Sequence, residues 1–544
     1  MKKTKSTLIL GALTSSFGIF ISKILGLTYV IPLNSLAGSA NISFYSIAYS
    51  AYGLILNICS AGIPFAVSSL VAKYVAKDDY QTAKLIKKIA TIMVMTLSFV
   101  ILLIFLSSCG FLAQYNLGSS ASPADISYLR NTYFCLTLAI VLVPLLAVTR
   151  GYYQGLKRME VYAKSEVIEQ FFRILCIILL GYVFVRILKF PSIFAIYMAV
   201  LAAGIGAICS YVYIRYSTRE INSEIDALAA SGNSSESNKK AIIKEIINLG
   251  LPYIVASILG TTSSLINSNF YVNYATSVGL DYQESKLVLG IFQVNCNKLA
   301  AIPGVLTLGF STGLVPYLSE DLYNEDYDSL RKHISEIFKT VTFFLLPMAL
   351  AFFLFPKAMY YIMFGNNNLE LGADLLKHTT ILVLSDTISP ILVSVLVTLR
   401  MRREVVRNLI LGTIAKAISF VILIKYMGYL GIIYSSFVST ITCIGLGIYT
   451  LTRHFKYDIK KDLPTLVKLI LSSLTMVIVY FALNLVGLRF TYSSRLIDLI
   501  LLAVYGSVSL LLYLLCTNYL RLVKEIFNTG LGELLLKIKN RIIK

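Results

Sequence analysis

The sequence predicts an all-α polytopic membrane protein. About fourteen transmembrane helices form two six-helix lobes in parallel pseudo-repeat, followed by two extra C-terminal helices. Three observations predict this. Of 544 residues, 57% are hydrophobic and only 14% charged, far from the balance of a soluble domain. Apolar runs of about 18 residues or more, each able to cross ~30 Å of hydrocarbon as a helix, recur along the whole chain. A segment that begins at Gly62 returns, degenerate but without gaps, at Gly309.

The first run, 7–32, follows Lys2, Lys3 and Lys5. It outlasts a signal-peptide core and has no small-residue cleavage site, so it reads as a retained helix. Spans at 43–71, 89–114, 126–149, 165–186 and 191–214 complete an N-terminal lobe over 1–217. The polar stretch from Arg215 to Glu245, centred on Ser-Gly-Asn-Ser-Ser, predicts a cytoplasmic linker over 218–245. A second lobe over 246–455 holds spans 246–271, 287–316, 340–363, 372–399, 408–425 and 428–452. Spans 466–487 and 496–518, within 456–520, lie beyond the repeat. The remaining segment, 521–544, mixes Leu and Ile with Lys and Arg at helical spacing and predicts an interfacial amphipathic helix.

A net charge of +20 raises the question of nucleic acid, and the distribution of basic residues answers it. With the N-terminus inside, 35 of the 48 Lys and Arg fall on inner segments and helix ends, nine on outer ones, and four within spans. That asymmetry is the positive-inside rule, so both termini are expected in the cytoplasm. Anionic phospholipid, not nucleic acid, is the expected partner of the basic excess. The eight cysteines fall singly and the three histidines share no ligand spacing, so neither a metal nor a disulfide is expected. With 36 Tyr and no Trp, tyrosine must supply the interfacial aromatics, as in Tyr152-Tyr153 and Tyr360-Tyr361.

The repeat aligns GIPFAVSSLVAKYVAKDDYQTAKLIKK with GFSTGLVPYLSEDLYNEDYDSLRKHIS. Asp78-Asp79-Tyr80 matches Glu325-Asp326-Tyr327, and Lys84 matches Arg331. The offset of 247 residues holds six spans and returns the chain to the same side of the membrane, hence two parallel bundles. In both copies the segment after the span reads as an amphipathic helix on the cytoplasmic face, and the acidic pairs suit a structural role.

Charges inside spans cost a few kcal/mol unless paired or hydrated, so they are the first candidates for function. Lys23, in ISKILGLTYVIPL, lies too deep to snorkel out. It is either tucked against a neighbouring helix or faces a water-filled cavity. Lys298 sits in QVNCNKLAAIPGVLTLGFSTG, where Gln293, Asn295 and Asn297 add polar atoms and Pro303-Gly304 can break the helix. In SEVIEQFFRI, Glu166, Glu169 and Arg173 share a helical face, and a Glu169–Arg173 pair would lower the cost of both. Asp386 and Lys416 are lone charges in adjacent spans that could pair with each other. Asn267 and Asn269 add uncharged donors to the seventh span.

These residues do not form an enzyme constellation. The chain has no GxxxxGK[ST] loop, and no long loop pairs acids with basic residues as a metal-dependent glycosyltransferase requires. Two bundles that each carry an inward cation favour an anionic ligand, so the expectation is a transporter without cofactor. Its drive would be an ion gradient or the membrane potential.

SKILGLTYVIPL, AGIPFAVSSLVAKYVAKDDYQTAK, RGYYQGLKRMEVYAKSEVIEQFFRI and LGFSTGLVPYLSE together resemble the MurJ-type flippases, in their YtgP- and SpoVB-like branch. The RGxxQG block, Arg150 to Gly155, and the SxxIEQ block from Ser165 are the most specific part of the likeness, which runs through nearly the whole chain. The family belongs to the multidrug/oligosaccharidyl-lipid/polysaccharide (MOP) exporter superfamily. The resemblance implies two lobes of six helices and a groove for a lipid tail on the last two. It implies translocation of lipid II, the undecaprenyl-pyrophosphate-linked peptidoglycan precursor, from the inner to the outer leaflet of the bacterial cytoplasmic membrane, and alternating access by a monomer is the expectation. Other polyprenyl-linked oligosaccharides, or small molecules moved by a MATE-like antiporter, are the alternative cargoes.

By the same resemblance Lys23 and Lys298 match the cavity cations that meet the pyrophosphate, and the polar residues Asn295, Asn297 and Asn267 of the spans are added as substrate-binding candidates. Arg150 joins Glu166, Glu169, Arg173, Asp386 and Lys416 as gating or coupling candidates. Two positions depart from the family pattern. Lys23 stands where related members often carry arginine, a point charge in place of a bidentate fork. TLRMRREVVRN, from Thr398, stands where a glutamine-glycine turn is common.

Overall fold

The computed structural model describes residues 26, 29–231, 239–304, 318 and 321–527. Lys23, most of the first expected span, the Gly309 end of the repeat and the C-terminal residues 528–544 lie outside these. The described chain is helical, and it forms two compact units, Met1–Val294 and Asn295–Lys544. Among the described residues, ten helical segments are long and apolar enough to cross a membrane. One of them, Arg402–Phe455, is a hairpin of two helices that reverses at Gly428, where φ is 60°.

In the first unit, α1 (Val30–Ala37) and α2 (Ser39–Leu56) run through a π-helical turn at Asn57–Ala61 into α3 (Ile63–Val75). Then come α4 (Tyr80–Leu117), α5 (Pro123–Gly155), α6 (Met159–Tyr182), α7 (Ile193–Ser217) and α8 (Arg219–Ser231). The long α9 (Lys239–Ser277) and α10 (Tyr282–Gly290) close the unit. The glycines of RGxxQG also form a GxxxG pattern on α5. A Cβ on Gly151 would stand 2.6 Å from the Pro64 carbonyl, and one on Gly155 would stand 2.7 Å from that of Ser68. Glycine is therefore what lets α5 lie against the backbone of α3.

The expected linker is largely helix. Its α8 is docked on the first unit: Gln81 donates to the Ala229 carbonyl, Lys84 pairs with Asp226 and Arg158 with Glu224. The N-terminal turns of α9 are tied to α3 by Lys73–Glu245 at 3.1 Å. These bonds hold the linker to the first unit, which extends to Val294, whereas the sequence begins its second lobe at 246.

The second unit holds helical residues 297–304, α11 (Tyr327–Leu354), α12 (Pro356–Phe364) and α13 (Leu369–Thr398). It continues with α14 (Arg402–Met427), α15 (Gly431–Phe455), α16 (Leu463–Ser473), α17 (Thr475–Leu485), α18 (Arg495–Tyr519) and a short α19 (Leu522–Phe527). The expected ninth span, 340–363, is two helices, because Pro356 cannot continue α11 and instead starts α12. The described start of the C-terminal segment is not interfacial only. Leu522, Val523 and Ile526 are buried against Phe343, Leu469 and Tyr513.

The amphipathic segments expected after the second and eighth spans are not separate helices. They form the first turns of α4 and α11. Asp79 and Asp326 cap these helices, accepting from the backbone of Thr82 at 2.9 Å and Ser329 at 3.0 Å. The preceding residues, Asp78 and Glu325, both take φ of 57°. The repeat between these acidic pairs is thus a repeated helix-to-helix corner.

Candidate functional site

The two most specific sequence blocks meet inside the first unit. Arg150, near the end of α5, donates through Nε to Ser165 Oγ at 2.8 Å and through Nη2 to Ser210 Oγ at 3.2 Å. Its Nη1 lies 2.8 Å from Glu169 Oε2 on α6. Ser210, on α7, in turn donates to the Ser165 carbonyl at 2.8 Å. Gly206 brings α7 close enough for this, since a Cβ there would stand 2.7 Å from the Glu169 carbonyl. Three helices are joined by one ion pair whose remaining donors are satisfied by hydroxyls, the condition under which buried charge is tolerated.

The Glu169–Arg173 pair suggested by their spacing is not the one formed, because Glu169 turns to Arg150. Arg173 is buried among tyrosines, its Cζ 5.3 Å from the Tyr49 ring centre and 5.9 Å from that of Tyr29. Tyr29 and Tyr45 share a hydroxyl hydrogen bond of 2.8 Å, and Tyr45 stacks on Tyr49. This cage holds a cation by ring faces. Among the described residues, Arg173 Nε has no hydrogen-bond partner. Glu166 is half-buried beside Tyr162, whose hydroxyl it meets in a hydrogen bond.

Asn267 is buried on α9, and Asn269 donates to the Leu265 carbonyl of its own helix. Gln293 sits in a π-helical turn, Ile291–Cys296, and donates to Ser264 and Ser268 on α9. The irregularity of the eighth span therefore begins well before Pro303, at the polar residues themselves. Such turns expose backbone geometry that regular helix does not.

Two polar contacts of the first unit were not singled out in the sequence. Asn57, which opens the π-helical turn after α2, accepts from Ser257 at 2.8 Å and donates to Thr261 at 3.0 Å, fixing α2 to α9. Lys286 on α10 is buried and lies 3.0 Å from Asp125 at the start of α5. Tyr282 donates to the same carboxylate at 2.9 Å, and the Lys286 ammonium stands 4.6 Å from the Phe44 ring centre. The available signal was an acid and a lysine at the two outer ends of spans, too near the ends to count as intramembrane charges.

In the second unit, Asn295 is fully buried and donates to Tyr360 Oη at 3.1 Å. Its Oδ1 has no partner among the described residues. Asn297 and Lys298 are half-buried on the following turn. Lys416, on α14, is fully buried and donates to Ser435 and Ser436 at 2.9 and 2.8 Å. Asp386 on α13 is exposed, accepts from Thr440 at 3.0 Å, and is the acid whose field acts on Lys416. Hydroxyls of α15 thus hold both charges, with Asp386 as the attracting acid. Lys23 lies outside the described residues.

A family model described as polysaccharide biosynthesis protein matches residues 8–321, and one described as lipid II flippase MurJ matches residues 294–501. The lipid II flippase MurJ of Bacillus subtilis (strain 168) is 26% identical over 538 residues, 97% of this chain and 98% of its own. Stage V sporulation protein B of the same organism is 23% identical over 318 residues, 58% of this chain and 59% of its own. A solved lipid II flippase MurJ, in an inward closed conformation, superposes with a TM-score of 0.69 at 15% identity and covers 94% of this chain and 99% of that one. An inward-facing multidrug resistance MATE transporter of the MOP superfamily gives 0.65 at 15% identity, over 79% of this chain and 94% of its own.

Proposed function

The chain belongs to the polysaccharide biosynthesis protein family, and from that premise we propose that it is a flippase carrying lipid II from the inner to the outer leaflet by alternating access. One observation carries the reading: the likeness to a lipid II flippase extends over 97% of the chain, through the two spans beyond the twelve of the paired lobes. A MATE-like antiporter is disfavoured by that same length.

In this reading Lys23 and Lys298 each meet the diphosphate, and Asn267, Asn295 and Asn297 supply neighbouring amides. The buried Arg150–Glu169 pair and Arg173 transmit helix movement. Asp386 and Lys416 form the group that responds to an ion gradient or to the membrane potential, and no cofactor takes part. The protein acts as a monomer in the bacterial cytoplasmic membrane with both termini inside, as its basic segments favour.

The test is complementation of a flippase-depleted strain together with a leaflet-accessibility assay for labelled lipid II. The native chain restores growth and moves lipid II outward. Lys23→Ala and Lys298→Ala each abolish both at normal protein levels. Growth of both variants would overturn the site assignment. An unchanged lipid II distribution on depletion would transfer the function to another polyprenyl-linked oligosaccharide.

A further inference from the structure

A cavity of about 920 Å³ lies in the first unit, and none of the residues assigned above to cargo is among those that line it. Its walls are the first turns of α4, the ends of α5 and α7, and the linker helix α8. Five cations line it, Lys84, Lys87, Lys88, Arg215 and Arg219, against a single carboxylate, Asp226. Asp226 is already paired with Lys84 at 2.5 Å. Among the described residues, no carboxylate lies within ion-pair distance of the other four.

Lys87 is held from the α5 side. Its ammonium stands 4.4 Å from the Tyr152 ring centre and 5.1 Å from that of Tyr153, which positions the charge without neutralising it. Tyr153 is itself fixed by hydrogen bonds to Thr218 and Asn222 at the α7–α8 corner. The two tyrosines inside the RGxxQG block, Tyr152 and Tyr153, therefore form a wall of this cavity. Lysines on successive turns, arginine forks opposite and nearby hydroxyl and amide donors are a phosphate-binding set.

The surroundings select the source of that phosphate. Lys87 and Lys88 directly precede the apolar span that starts at 89, the depth of lipid headgroups. Ile92 lines the cavity and is 56% exposed. Phe99 and Leu103, 58% and 53% exposed, follow on the same face of α4 at helical spacing. A charged pocket thus opens onto a continuous apolar ridge, which fits a phosphate carrying an acyl chain.

We infer that this cavity binds the phosphate headgroup of an anionic phospholipid, with an acyl chain along α4, and so ties the linker helix to the membrane surface.

The experiment takes the purified full-length chain, delipidated in nonionic detergent, and titrates it with phosphatidylglycerol, phosphatidylcholine of the same chains, or inorganic phosphate. Binding is read by native mass spectrometry for the lipids and by competition for phosphate. Phosphatidylglycerol should bind saturably. Lys87→Gln, Lys88→Gln and Arg219→Gln combined should weaken it tenfold or more, whereas Lys73→Gln, outside the cavity, should not. Unchanged binding in the triple variant would overturn the site, and equal binding of phosphatidylcholine would overturn its anionic character. Competition by inorganic phosphate at comparable concentration would overturn the assignment to a lipid. A second measurement needs no variant: phosphatidylglycerol should slow acetylation of the exposed Lys88 fivefold or more and leave Lys73 unchanged. Equal slowing at both would also overturn the site.

Discussion

Arg150 illustrates how far a single residue can be read from sequence. Its motif and the Ser165 motif were both legible, but not that they meet, because i,i+4 spacing on α6 offers Glu169 a nearer partner in Arg173. Tertiary packing decides otherwise: Gly206 draws α7 against α6, and Arg150 reaches Glu169 while also bonding two hydroxyls. Glu169→Gln leaves a buried guanidinium without its counter-charge, and removing one partner of such a pair costs roughly 3–5 kcal/mol. A clear drop in the thermal midpoint of the detergent-solubilised protein is expected. Arg150→Met combined with Glu169→Leu should recover most of it, since neither charge is then stranded. If the double variant were as unstable as the sum of the single ones, the two residues would not be acting as a pair.

Helix ends carry a second layer of information that hydropathy does not. Among the described residues, the six glycines with positive φ are Gly38, Gly118, Gly279, Gly365, Gly428 and Gly487. All fall at ends that the charge asymmetry assigns to the outside. At the inner ends the left-handed position is held by Asp78, Lys157, Glu325, Arg400, Lys456 and Arg521. The lysines and arginines there complement the helix dipole while adding to the positive-inside bias. Their backbone strain is the cost, about 1–2 kcal/mol for a non-glycine residue. Arg400 is the informative case. The backbone of Arg400 and Met401 bonds back to Val397 and Leu396, as Lys157 and Arg158 bond back to Gln154 and Tyr153. TLRM therefore makes, without a glycine, the same hydrogen-bonded turn that closes the helix at Lys157. Arg400→Gly should stabilise the fold by about 1 kcal/mol, seen as a higher thermal midpoint. A lower midpoint would mean that the Arg400 side chain contributes more than its strain. Sequence periodicity located these helices but not their merging: a polar amphipathic stretch followed by an apolar run looks like two elements, and Asp79 or Asp326 caps them as one.

At the scale of the molecule, composition and repeated apolar runs were enough for the fold class, because lipid leaves the backbone few alternatives to helix. The packing partners were not legible, since one apolar face looks like another and the contacts that bind α8 to the first unit are scattered polar residues. The same limit applies to the last two spans, whose sequences are simply apolar. They are nevertheless integrated with the second unit: Tyr513 donates to the Phe343 carbonyl at 2.7 Å, Tyr505 packs on Phe355, and Lys339 lies 3.1 Å from Asp462. Ending the chain after Phe455 removes these partners. The exposed apolar faces of α11 and α12 would then meet lipid, which solvates them as well as another helix does. Lys339, near the start of that span, can extend its ammonium to water. The shortened chain should therefore still insert and accumulate. Lacking the two helices on which the family resemblance implies a groove for the lipid tail, it should fail to restore growth in a flippase-depleted strain. Growth restored by residues 1–455 would show that the paired lobes suffice, and would move the reading toward the smaller cargo of a MATE-like antiporter.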